Sequence, residues 1–156
     1  MAIRKIQPGD ETRVLALMQR HADLEQYDDI FAIDERAISR LALQGARPAC
    51  HIVVSENAER QIVGFALYFI VDFTFRNRPM LYLSDLMVDE THRRQGIARE
   101  LVETVCREAN AQDCFRIKWG VASANKDAIA FYESIGATRE TGKLYYTLDN
   151  ASIASR

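Results

Sequence analysis

Between Gln61 and Val88 the chain carries two long runs rich in β-branched and aromatic residues, QIVGFALYFIVDF and MLYLSDLMV. Only a short connection containing the loop sequence FRNRP parts them. Runs of this composition and length read as strands. The near-continuous apolar character of MLYLSDLMV predicts burial on both faces, the mark of a central strand. Any fold must therefore be built around this pair, with layers on either side of it.

The flanking segments supply those layers. Ile3 to Ile6 gives a short first strand. Asp10 stands as a helix N-cap, and Val14, Leu17, Met18, His21 and Leu24 follow at helical spacing. A second short helix starts at Asp34, carries Ala37, Ile38 and Leu41, and stops near Gly45 and Pro48. The strand HIVVSE joins QIVGFALYFIVDF through the turn NAER. After Val88 comes a basic turn, then a helix with Ala98, Leu101, Val102, Val105 and Ala109 on one stripe. CFRIKWGV is a strand, NKDAIAFYESIGA a helix closed by Gly136 as its C′ glycine, and KLYYTLD a last strand. A hairpin meander running into a βαβ crossover predicts the α/β (α+β) class. Its central sheet is mixed and mostly antiparallel, with helices on both faces. A doubly wound dinucleotide fold fits poorly, because it requires more alternation and a fuller glycine fingerprint after the first strand.

At 156 residues the chain is expected to form one domain, residues 1–150, with 151–156 as a tail. A net charge of −2 gives no global attraction to nucleic acid or to an acidic membrane, so any basic patch must be local. Cys50, Cys106 and Cys114 are odd in number and lack metal-ligand spacing, which reads as reduced thiols of a cytoplasmic protein. The start MAIRKIQPGD has no apolar core of a signal peptide. Ile62 to Val71, the longest apolar stretch, is too short to span a bilayer.

The local basic patch is Arg93-Arg94-Gln95-Gly96-Ile97-Ala98, between a strand and a helix. The first N–H groups of a helix lack intrahelical partners and, with the helix dipole, make an anion site. Gly96 permits close backbone approach, Ala98 leaves room, and the arginines add charge-assisted hydrogen bonds. Taken alone, the same turn is equally readable as a solvated surface loop.

In context the turn resembles the acyl-CoA phosphate loop of the GNAT superfamily of N-acetyltransferases, whose motif Gln/Arg-x-x-Gly-x-Gly/Ala is met by Arg93, Gly96 and Ala98. The strand YLSDLMV and the segment ASANKDAIAFYESIGA, with Asn125, Ala128, Tyr132 and Gly136, match in the same order. The resemblance spans residues 3–148. Within the superfamily the chain is similar to the diamine branch, the spermidine/spermine and thialysine type. Tyr-Leu-x-Asp-Leu, Trp119 ahead of Asn125, and the acidic segment LEQYDDIFAIDE carry that likeness.

The resemblance implies acetyl-CoA as cosubstrate, a small primary amine as acceptor, a homodimer, and no metal. Leu86, Met87 and Val88 would hold the pantetheine arm, and the backbone N–H of Leu86 would face the oxyanion. Arg93, Arg94, Gln95, Gly96, Ile97, Ala98 and Arg99 would cradle the pyrophosphate. Tyr132 would protonate the leaving thiolate. Asn125 and Ala128 would line the coenzyme, although an Asn before KDAIAFY is a sound N-cap with or without a ligand. Glu25, Tyr27, Ser84, Asp85 and Trp119 would contact the amine. Asp28, Asp29 and Phe31 are weaker members of that set, and an acidic run at a helix end is ordinarily solvated.

One departure matters. The diamine branch carries a glutamate where this chain has Ser84. Asp85 is next door, but one residue along a strand turns a side chain to the other face. Asp85 can substitute only if the strand is bulged, and a structural role for it is equally open. His21, His51 and His92 do not cluster in the sequence, and none is assigned to catalysis. Acetylation of a protein amine, and a non-catalytic acyl-CoA-binding regulator, are the competing readings.

Overall fold

The computed structural model describes every residue except Tyr27 and Arg156. The chain forms two compact units, Met1–Gly120 and Val121–Arg156.

The first unit is built on five strands, β1 (Ala2–Lys5), β2 (His51–Glu56), β3 (Ile62–Phe73), β4 (Arg78–Val88) and β5 (Ile117–Lys118), which lie in that order across the sheet. The first four pair antiparallel and β4 pairs parallel with β5, so the sheet is mixed and mostly antiparallel. Helix α1 (Glu11–Glu25) and the short α2 (Glu35–Ile38), which runs on into a π-helical turn at Ser39–Leu43, serve one face. There Val14, Leu17, Met18, Ile38 and Ala42 pack with Ile52, Val54, Phe65, Leu67 and Met87. Helix α3 (Ile97–Ala111) serves the other, where Ile97, Leu101, Val105 and Ala109 pack with Val53, Ala66, Tyr68, Leu81 and Leu83. Each such aliphatic side chain, fully buried, contributes about 1.5–3 kcal/mol. No helix among the described residues is long and apolar enough to cross a membrane.

Local chemistry explains most element ends. Asp34 caps α2, its carboxylate accepting the Ala37 N–H at 2.7 Å. Asp10 stands before α1 but makes no side-chain cap, contrary to the sequence expectation. Its carboxylate accepts instead from the Arg4 guanidinium at 2.6 Å and from the Gln7 N–H at 2.8 Å, because a guanidinium is the stronger partner. Leu24 is likewise corrected, since it is exposed while Ala22 completes the buried stripe.

Gly64 explains how close β4 comes to its neighbour. A methyl group built there would sit 2.9 Å from the Met87 carbonyl oxygen and 3.4 Å from side-chain atoms of Ile97 and Leu101. Gly64→Ala is therefore expected to destabilise the protein by about 1–3 kcal/mol. Urea unfolding at unchanged m-value checks this, and an unshifted midpoint would refute it.

The second unit contains α4 (Lys126–Ser134) and α5 (Asn150–Ala154). Asn125 caps α4 by accepting the Ala128 N–H at 3.1 Å, and Gly136 follows the helix with φ +89°. KLYYTLD does not form the expected strand, and Leu144, Tyr145 and Tyr146 are exposed. Alternation alone does not make a strand. A ladder needs a partner, and residues 121–156 contain no other strand among those described. β5 is also shorter than CFRIKWGV predicts.

Candidate functional site

The site begins with an irregularity in β4. On β3, the adjacent residues Leu67 and Tyr68 stand opposite Asp85 and Leu83, so Ser84 is an extra residue, a β-bulge. The bulge reverses which residues face which layer. Leu81 and Leu83 lie in the core beneath α3, whereas Met87 lies in the core beneath α1. Two-residue alternation from Met87 puts Asp85 on the α1 face as well. The condition that the sequence set for Asp85 is thus met.

The bulge also coincides with the end of the β4–β5 ladder. β5 pairs only with Leu81 and Tyr82. From Leu83 to Val88 the edge of β4 opposite β3 carries no strand among the described residues. Its polar groups can be assigned. The Asp89 N–H donates to Val63 on β3 at 2.8 Å. Alternation then directs the backbone groups of Leu86 and Val88 away from β3, onto the open edge. The Val88 carbonyl is indeed reached there by Arg93 Nε at 3.3 Å.

The basic turn follows directly, locked by Asp89. This carboxylate is buried and takes four donors. Thr91 supplies its N–H at 3.1 Å and its hydroxyl at 2.8 Å, while Arg13 and Arg20 of α1 reach it at 2.9 and 3.2 Å. Burial by itself would raise the Asp89 pKa, but the Thr91 hydrogen bonds and the two guanidinium groups outweigh it and hold the carboxyl below its ordinary value. Beyond it, Arg94 (φ +63°) and Gly96 (φ +82°) take left-handed backbone, which favours glycine and is unusual for an arginine. The first α3 hydrogen bond runs from the Glu100 N–H to the Gly96 carbonyl. The N–H groups of Ile97, Ala98 and Arg99 therefore have no intrahelical acceptor. Gly96 brings no side chain to cap them. Arg94, Gln95 and Arg99 are exposed beside this helix start, and Ile97 is buried and anchors it. An open row of amide groups leading to an exposed helix N-terminus fits an elongated ligand with amides at one end and phosphates at the other.

Other predicted site residues fall as follows. Glu25 is the exposed last residue of α1. Trp119 is half-buried and packs against the core beneath α3. Ser84 is exposed at the bulge. Tyr27 lies outside the described residues. In the second unit, Asn125, Ala128 and Tyr132 share one side of α4 by their spacing, and Tyr132 is half-buried with its ring 5.3 Å from that of Phe131. His51 stacks on Tyr68 at 5.1 Å, and His92 lies 2.9 Å from the Thr91 hydroxyl. A shallow depression of about 660 Å³ lined by Asp34, Arg36, Arg40 and Gln44 lies on α2 and includes none of these residues.

The sequence reading missed Arg13, Arg20 and Asp89. A signal existed: Asp89-x-Thr91 is a short turn pattern, and Arg13 and Arg20 are seven apart, hence on one helix face.

The model of the Acetyltransferase (GNAT) family matches residues 15–137. A thialysine N-epsilon-acetyltransferase of Sus scrofa is 30% identical over 142 residues, covering 86% of this chain and 82% of its own length. The L-ornithine N5-acetyltransferase NATA1 of Arabidopsis thaliana is 30% identical over 100 residues, which are 59% of this chain and 44% of the plant protein. Among solved structures, that of a probable acetyltransferase superposes with a TM-score of 0.80 at 21% identity, covering 96% of this chain and 97% of its own.

Proposed function

This chain belongs to the GNAT family of acetyltransferases, and on that premise we propose that it moves an acetyl group from acetyl-CoA to the primary amine of a small cationic molecule, a diamine or an amino-acid-like amine. The observation that carries the coenzyme half is the open β4 edge, Leu83 to Val88, running into the uncapped start of α3. Leu86, Met87 and Val88 serve the pantetheine arm, and the amides of residues 97–99 with Arg93, Arg94, Gln95 and Gly96 serve the pyrophosphate. The Leu86 N–H, aimed off the sheet edge, serves the oxyanion. Asn125 and Ala128 of α4 serve the coenzyme, and Tyr132 serves the leaving thiolate.

The amine half rests on the likeness to the thialysine and ornithine enzymes and on Asp85, turned to the α1 face. Glu25, Ser84, Tyr27 and Trp119 belong to the acceptor side in this reading. Attack is direct, in a ternary complex, and the enzyme works as a cytoplasmic homodimer.

The test is release of the coenzyme thiol from acetyl-CoA across polyamines, lysine and ornithine analogues, aminoglycosides and basic peptides. Turnover of a diamine or a lysine analogue is the expected result. Turnover of peptides alone would replace the small-amine reading by a protein substrate. Tight binding of acetyl-CoA without any turnover would overturn catalysis. A second test concerns the coenzyme alone: Gly96→Val is expected to raise the KM for acetyl-CoA at least about tenfold, because a β-branched residue resists φ +82°. An unchanged KM would remove the turn from the coenzyme site.

A further inference from the structure

An alkylammonium is about four pKa units weaker as an acid than an imidazolium, and it cannot attack a thioester until it loses a proton. Ser84 is no anion at neutral pH, so the acceptor must be found elsewhere near Leu86. The bulge supplies one route. It turns Asp85 to the α1 face, one residue and 3.8 Å of chain from Leu86. On α1, His21 continues the buried stripe of Leu17 and Met18, four and three residues on. Its Nε2 stands 3.8 Å from the Asp85 carboxylate. Both side chains are partly open, at 19% and 25% exposure, so a proton taken up there can pass to water.

From the bulge and this pairing, and resting on the acetyltransferase reading above, we infer that His21, oriented by Asp85, is the general base that deprotonates the acceptor amine. With Nε2 turned to Asp85, the ammonium gives one proton to the other ring nitrogen of His21, Nδ1. The freed lone pair forms the C–N bond while the thioester carbonyl becomes the oxyanion. On collapse the C–S bond breaks, Tyr132 gives its proton to the coenzyme sulfur, and the remaining excess proton on nitrogen restores the Tyr132 hydroxyl. His21 then returns its proton to solvent. Glu25 lies one turn further along α1. The buried Cys50 thiol is pushed up first by burial and then by the charge of Asp85, which keeps it a neutral neighbour. Arg20, adjacent to His21 in sequence, is turned to Asp89 and Glu90.

The experiment uses the full chain, once the wild type has been shown to turn over an amine. That first step decides the acetyltransferase reading independently of His21. His21→Gln is then expected to lower kcat/KM for an alkylamine at pH 7 by about 10²–10⁴-fold, the usual size for a general base. The KM for acetyl-CoA should not change, and the loss should shrink as pH approaches the pKa of the amine itself. A fluorinated amine that is already neutral at pH 7 should restore most of the activity of the variant. Asp85→Asn should lower kcat/KM for the alkylamine at pH 7 and spare the neutral fluorinated amine, as the His21 variant does. An equal loss with both amines, or a loss independent of pH, would assign His21 a packing role and overturn the inference.

Discussion

Tyr132→Phe is expected to lower kcat by about 10²-fold or more while leaving the affinity for acetyl-CoA unchanged. The reason is the leaving group. A thiolate leaves more readily as it is protonated, and a positioned proton donor contributes about 10²–10⁴-fold. A phenol is a weaker acid than a thiol by about 1.5 pKa units, so full transfer costs only about 2 kcal/mol and hydrogen bonding to the developing charge already helps. Tyr132 sits in the last turn of α4, half-buried, on the side of the helix that also carries Ala128. The phenylalanine variant keeps the ring and its contact with Phe131, so a fall in kcat without a fall in melting temperature reports the hydroxyl. A loss smaller than about tenfold would take the acid role away from Tyr132.

The second large effect concerns stability. Asp89→Ala removes the acceptor of four donors and leaves Arg13 and Arg20 facing an empty position. Breaking a buried ion pair costs about 3–5 kcal/mol. The two arginines are 43% and 42% exposed and can rehydrate, which places this site at the low end, about 3 kcal/mol. For a chain of this size that is a fall in Tm of about 6–12 °C. On the proposed function the KM for acetyl-CoA should rise too, because Asp89 ties the start of the basic turn to α1. Its pH dependence follows from the lowered carboxyl. The unfolded chain takes up this proton at its ordinary pKa, about 3.9, while the folded chain does so only at lower pH. The contribution is therefore complete above about pH 4 and drains away as pH falls through the folded value. A variant that melts within about 2 °C of the wild type would show that the turn is held by other contacts.

The candidate site divides into parts the sequence exposes and parts it hides. The basic turn was readable because its chemistry is local: Gly96 supplies the left-handed backbone and the helix after it supplies the amides. Asn125 as a cap and Gly136 as a stop were readable for the same reason. Ser84 was not. Nothing in YLSDLMV marks which residue is extra, because a bulge is a relation between two strands and Leu67 and Tyr68 decide it from β3. His21 was hidden more deeply. Periodicity put it on the core stripe of α1, where a histidine is ordinarily packing, and 64 residues part it from Asp85.

What the sequence determined by itself is the succession of elements from β1 to α4, the two long strands at the heart of the first unit, the two helical layers and the left-handed turn at Gly96. Each follows from hydrophobic period, capping chemistry or glycine conformation, all of which act within a few residues. The tertiary structure alone decided where the β4–β5 ladder stops, which face Asp85 takes, that KLYYTLD forms no strand, and that Arg13 and Arg20 meet at Asp89. Those outcomes depend on hydrogen-bond and charge partners distant in the chain, and no local propensity encodes the geometry in which such partners meet.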